Sequence, residues 1–151
     1  MKLYFTWKRV RQQFWMAVAN LPVPGHFIRP FFIKLGGAKL TSTECFIGKN
    51  VVFDGVCPER IHIEPGVVIT DGTIVLTHYF HPVIGKWTTG DVYIKRNAFL
   101  GARTIITKPV TIGEGACVGA GSVVTKDIPD YEIWAGNPAK FIKKIPKDDK
   151  L

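Results

Sequence analysis

"IKRNAF LGARTI ITKPVT IGEGAC VGAGSV VTKDIP", residues 94–129, decides the fold once it is cut into sixes. Ile94, Leu100, Ile106, Ile112, Val118 and Val124 head the rows, and the fifth column reads Ala98, Thr104, Val110, Ala116, Ser122, Ile128. A helix would repeat apolar residues every 3.6 positions and an ordinary strand every second one, so neither produces this pattern. A short fixed period is the mark of a repeat architecture. Each six reads as a short strand plus a turn, with Gly and Asn supplying the unusual backbone angles. Three sixes close a triangular coil, and the aliphatic row heads stack coil on coil into one interior, so that no coil is stable alone. Working outward, IGKNVV from Ile47, IEPGVV, ITDGTI and a row headed by Val75 follow the same rule. The sixes fail between Val75 and Val92, where "LTHYFHPVIGKWTTGD" predicts a loop leaving the coil.

The rows, followed by "VGAGSVVTKDIPDYEIWAGNPAKFIKKI", resemble the hexapeptide-repeat acyltransferases, and within them the galactoside, maltose and xenobiotic O-acetyltransferase branch. The resemblance runs over about residues 44–145. It implies an all-β left-handed parallel β-helix over 44–134, a homotrimer with sites between neighbouring helices, and acetyl-coenzyme A as donor. The handedness comes from the resemblance alone. Residues 1–43 read as an N-terminal helical arm and 135–151 as a short C-terminal turn and basic tail.

The break holds two of the four histidines, His78 and His81. Two histidines without a nearby Cys, Asp or Glu cluster are too few for a zinc site, so no metal is expected. Packing is the bland reading of a lone histidine. The resemblance places His78 at the family's catalytic base, with Tyr79, His81 and Trp87 on the acceptor-side loop. A neutral imidazole can take the proton of a hydroxyl as it attacks a thioester and return it to the leaving thiolate. Backbone N–H groups of a neighbouring coil would meet the oxyanion. Asp54, in "GKNVVFDG", stands where that branch has an Asn near the acceptor hydroxyl. It reads equally as a group orienting His78 or binding acceptor, and as an ordinary turn Asp before Gly55.

For the coenzyme, the resemblance points to Phe99 beside the thiol arm, and to Gly101, Ala102 and Ala120 lining a narrow groove. It points to Lys126, Lys140 and Lys143 near the phosphates or adenine. Lysine there neutralises a phosphate without the planar fork of arginine. Trp134 would cover the helix end or flank adenine.

The net charge of +8 sits at the two ends: residues 1–43 hold seven Lys/Arg and no acid, and 139–151 hold five Lys against two Asp. No Arg-rich face on a recognisable module points to nucleic acid. Cys45, Cys57 and Cys117 are scattered and odd in number, which reads as small reduced core residues rather than a disulfide framework. With no apolar run long enough to span a bilayer and no cleavable leader, the expected place is the cytoplasm. In the arm, "TWKRVRQQFWMAVAN" puts Trp7, Val10, Phe14 and Val18 on one helical face, ended by Pro22 and Pro24. That face either packs over the β-helix or meets an anionic inner membrane surface. The expected activity is transfer of acetyl from acetyl-coenzyme A to a sugar hydroxyl in surface polysaccharide assembly. The alternatives are an N-acetyltransferase for amino sugars, a non-catalytic β-helix scaffold, and a zinc hydratase using His62, His78 and His81.

Overall fold

The computed structural model describes residues 6–26 and 28–146. The ends of the arm and tail, with Lys2, Lys147, Asp148, Asp149 and Lys150, lie outside the described residues. The chain winds through three faces in a fixed order. The first coil takes β1 (Lys39–Leu40), β2 (Phe46–Ile47) and β3 (Val52–Phe53), and the second β4 (Ile61–Ile63), β5 (Val68–Ile69) and β6 (Ile74–Val75). A hairpin follows, β7 (His78–His81) and β8 (Lys86–Thr89). The third coil is β9 (Val92–Ile94), β10 (Phe99–Leu100) and β11 (Ile105–Ile106); the fourth is β12 (Thr111–Ile112), β13 (Cys117–Val118) and β14 (Val123–Val124). β15 (Glu132–Ala135) adds the last parallel strand before β16 (Lys140–Lys144) folds back antiparallel on it.

The three faces are the parallel sheets β1-β4-β9-β12, β2-β5-β10-β13-β15 and β3-β6-β11-β14. Register keeps the row heads above one another: Leu100 lies between Ile69 and Val118, and Ile106 between Val75 and Val124. Ile94, Leu100, Ile106, Ile112 and Val118 are fully buried, and each such side chain contributes roughly 1.5–3 kcal/mol. The fifth column closes the interior at the corners. Thr104 donates its hydroxyl to the Gly101 carbonyl at 2.7 Å, and Ser122 to that of Gly119 at 2.6 Å. Asn50 and Asn97 take φ of 55° and 57° in the turns, as their side chains allow.

Three details differ from the sequence reading. The coils begin at Lys39, because β1 already pairs with β4. The break is a two-stranded hairpin turned through Gly85, φ 60°, rather than an irregular loop. Of the cysteines only Cys45 is buried, its thiol pushed up to about 11 by burial; Cys57 and Cys117 are partly exposed, Cys117 because it occupies the outward position of its strand.

The arm is α1 (Trp7–Ala19) and α2 (Ile28–Leu35), with Thr6 capping the first. α1 buries Gln12 and Ala19, while Trp7 and Phe14 stay exposed at 82 % and 58 %. The arm packs on the β-helix through Met16, Ala19, Phe32 and Ile33, while Trp7 and Phe14 of the stripe read from the sequence point outward and Val10 and Val18 are half-buried. What fastens the arm is Arg29. Its buried guanidinium donates to the carbonyls of Ala19 (2.8 Å), Val23 (2.7 Å), Leu21 (3.4 Å) and Ile47 (2.6 Å), joining both helices to β2.

Candidate active site

Asp54 follows strand β3, one coil below the turn that leads into the hairpin. Stacking of β3 on β6 brings it under Thr77 and His78, 23 and 24 residues later in the chain. Its Oδ1 accepts the Val56 N–H at 2.7 Å, the contact expected of a turn Asp. Its Oδ2 accepts the Thr77 N–H at 2.8 Å and the Thr77 hydroxyl at 2.6 Å, and lies 2.5 Å from Nδ1 of His78. The turn contact and the His78 contact thus occur together, one on each oxygen.

Burial alone would raise the Asp54 carboxyl; the Thr77 hydroxyl, the His78 ring and the Val56 and Thr77 N–H groups outweigh it and hold the group below the usual carboxylate value. An ionised carboxylate only accepts hydrogen bonds, so Nδ1 of His78 carries the proton. In the neutral ring this leaves the lone pair on Nε2, the tautomer a general base needs. Thr77 was not singled out from the sequence. Its role exists only because coil stacking carries Asp54 beneath it, and the sole local signal was its place beside His78.

The hairpin sorts the remaining residues by face. His78 and Phe80 lie against Trp87, with ring centroids 5.4 Å and 5.7 Å away, while Tyr79 and His81 lie together, 6.0 Å apart. Strand alternation puts these two sets on opposite sides. Nδ1 of His81 is buried without a hydrogen-bond partner among the described residues.

The groove residues gather elsewhere. β10 and β13 are adjacent, with Phe99 beside Cys117 and Leu100 beside Val118, so Gly101–Ala102 and Gly119–Ala120 follow in step on successive coils. Ala102 accepts the Gly121 N–H at 2.8 Å, and a Cβ at Gly101 would collide with the backbone of Ala120. Ala102, Ala120 and Phe99 are exposed. Lys126 holds its Nζ 4.9 Å from the Trp134 ring, which is buried in the last coil with Phe141 against it. Lys140 and Lys143 project from β16, which gives the tail a strand where a bare turn was expected.

His78 and the groove occupy different corners. His78 leaves the corner joining the third face to the first, and Ala102 and Ala120 form the corner joining the second face to the third. One chain assembles the His78 cluster and the groove separately.

No group of three or more His, Cys, Asp or Glu side chains is placed to hold a metal ion among the described residues. His62 is instead engaged with Asp91 at 2.9 Å, beside Arg60 and stacked on Tyr93. No described helix is long and apolar enough to cross a membrane.

Comparison with known proteins agrees with this architecture. Residues 91–126 match the bacterial transferase hexapeptide family, six repeats. A Staphylococcus aureus (strain Mu50 / ATCC 700699) protein that carries an acetyltransferase name is 41 % identical over 80 residues, 51 % of this chain and 40 % of that one. The galactoside O-acetyltransferase of Lactococcus lactis is 32 % identical over 130 residues, 82 % of this chain and 55 % of that one. The chain thus spans about half the length of these curated relatives. The solved structure of a galactoside acetyltransferase in complex with coenzyme A superposes with a TM-score of 0.70 at 26 % identity, covering 94 % of this chain and 82 % of that one. Repeats, coil geometry and neighbours agree on a left-handed parallel β-helix of hexapeptide repeats, and over these residues the chain is similar to the hexapeptide-repeat transferases.

Proposed function

We propose that this chain is an O-acetyltransferase that moves acetyl from acetyl-coenzyme A to a hydroxyl of a saccharide, in the assembly of surface polysaccharide. The observation that carries the reading is the Asp54–Thr77–His78 arrangement at the mouth of the hairpin. The galactoside acetyltransferase structure, with its coenzyme A, and the galactoside O-acetyltransferase relative support the donor and acceptor classes.

Nε2 of His78 takes the proton of the acceptor hydroxyl as its oxygen attacks the thioester carbonyl carbon. Asp54 keeps Nδ1 protonated and stabilises the imidazolium. The C–O bond forms, the C–S bond breaks, and the imidazolium returns the proton to the departing sulfur, leaving an ester and free thiol. Trp87, exposed beside His78, offers an apolar wall for a sugar ring, with Tyr79 and His81 completing the acceptor side on the other face of the hairpin. The groove of Phe99, Gly101, Ala102 and Ala120 takes the pantetheine arm, and Lys126, Lys140 and Lys143 the phosphates.

The separate corners of His78 and the groove favour a homotrimer in which His78 of one chain faces the groove of its neighbour. Co-expression of His78→Ala and Ala120→Trp chains, each inactive alone, tests this. Mixed oligomers regain acetyl transfer if the site is shared between chains. They stay inactive if one chain supplies both halves, or if His78 and the groove do not work together.

A further inference from the structure

On the outer side of α1, Trp7 and Phe14 are exposed and Val10 and Val18 are half-buried. At about 100° per residue, Trp7, Val10, Phe14 and Val18 share one side of the helix, opposite the buried Gln12 and Ala19. Phe14 meets Trp15 at 5.1 Å, Trp15 stacks on Phe32 at 5.5 Å, and Phe32 meets Phe31 at 5.7 Å, so the half-buried Trp15 and Phe32, the latter packed on the core, link the exposed Phe14 of α1 to the exposed Phe31 of α2. On α2, Ile28, Phe31 and Leu35 are exposed at helical spacing.

The charge beside this surface is of one sign. Residues 6–43 hold Lys8, Arg9, Arg11, Arg29, Lys34 and Lys39 and no acid. Only Arg29 is committed to a buried internal role. Lys8, Arg11 and Lys34 converge around Trp15 and Gln12 on a cleft of about 450 Å³, with Glu59 as its one carboxylate. Arg11 lies between the cleft and the stripe. An apolar stripe bordered by cations is the pattern of a helix that lies in a lipid interface. A second copy would set the same cations against one another, whereas an anionic surface neutralises them.

We propose that the two-helix arm docks on an anionic membrane, with Trp7, Phe14 and Phe31 entering the interface and the Lys8–Arg11–Lys34 cleft seating lipid phosphate. This is independent of the transfer chemistry, since no arm residue belongs to the His78 site or the groove.

The test is sedimentation of the full chain with phosphatidylcholine vesicles, with and without phosphatidylglycerol. The full chain binds the anionic vesicles at low salt, and binding falls as salt screens it. Lys8→Gln/Arg11→Gln/Lys34→Gln weakens binding on the order of 100-fold, from roughly a factor of five per cation. Trp7→Ser/Phe14→Ser weakens it as well, with the thermal unfolding midpoint and the rate on a soluble acceptor unchanged. Failure of the full chain to bind anionic vesicles at low salt overturns the proposal. So does equal binding to neutral vesicles, or parent-like binding by both variants. A drop in oligomer mass on Trp7→Ser/Phe14→Ser overturns it too, because the stripe would then be covered by a second copy.

Discussion

Asp54→Asn separates the two functional roles its carboxylate could have. The two oxygens of Asp54 accept four hydrogen bonds, one on Oδ1 and three on Oδ2. An amide has one acceptor and one donor in the same space. If its oxygen takes the Oδ2 place, its NH₂ faces the Val56 N–H and that donor is stranded. If it turns over, the NH₂ faces Thr77 and Nδ1 of His78, which drives the imidazole to the tautomer whose Nε2 is already protonated. Stranding one buried donor costs about 1–3 kcal/mol of stability. Losing the base costs about 10²–10⁴-fold in rate, roughly 3–5 kcal/mol of barrier. Steady-state kinetics beside chemical denaturation reads both effects. The expected result is a folded, less stable enzyme whose kcat falls, by up to that factor where the amide turns over, while both KM values stay near the parent's. A parent-like kcat with a raised acceptor KM would refute the orientation role and make Asp54 an acceptor-binding group.

Four further outcomes follow from the same structure. Because Asp54 is held below its unfolded carboxylate value, its stabilisation is fully present above that value and is lost as pH falls through the folded one. The stability gap between the parent and Asp54→Asn is therefore widest near neutral pH and narrows in strong acid; a gap independent of pH contradicts the ionised assignment. Ala120→Trp fills the step above Ala102 and abolishes coenzyme A binding by calorimetry without unfolding the coils; unchanged affinity places the donor elsewhere. Arg29→Met takes its donors from four carbonyls, of which, among the described residues, only that of Leu21 keeps another partner, the Val23 N–H; it costs about 3 kcal/mol and opens the arm to protease before the coils; parent-like protease resistance contradicts its anchoring role. Sedimentation near three times the 16.8 kDa of one chain supports the shared site, and a monomer that turns over removes it.

The coils were legible because a period of six has one physical solution here: the row heads Ile94 to Val124 and the fifth column Ala98 to Ile128 all turn inward. His78 and Asp54 came forward as candidates by resemblance, each at a point where a row ends. Their relation was not, because it depends on which coil lies over which. Thr77 was hidden for the same reason. The hairpin left a weak trace, with "HYFH" and "KWTT" flanking a turn at Gly85, but its aromatic and charged residues gave no clean alternation. In the arm the apolar period showed a helix but not which of its residues pack on the coils. The inner side of α1 is set by Gln12, Met16 and Ala19 and by Arg29 reaching the Ala19 carbonyl, none of which stands out as a core pattern.

The most direct test of the central claim is the turnover of His78→Ala at saturating acetyl-coenzyme A, with a saccharide acceptor and His81→Ala as its companion. The account predicts a loss of about 10²–10⁴-fold for His78→Ala with the KM for acetyl-coenzyme A little changed, and a much smaller loss for His81→Ala, mainly in acceptor affinity. A His78→Ala enzyme that kept most of its turnover, while His81→Ala lost it, would contradict the account.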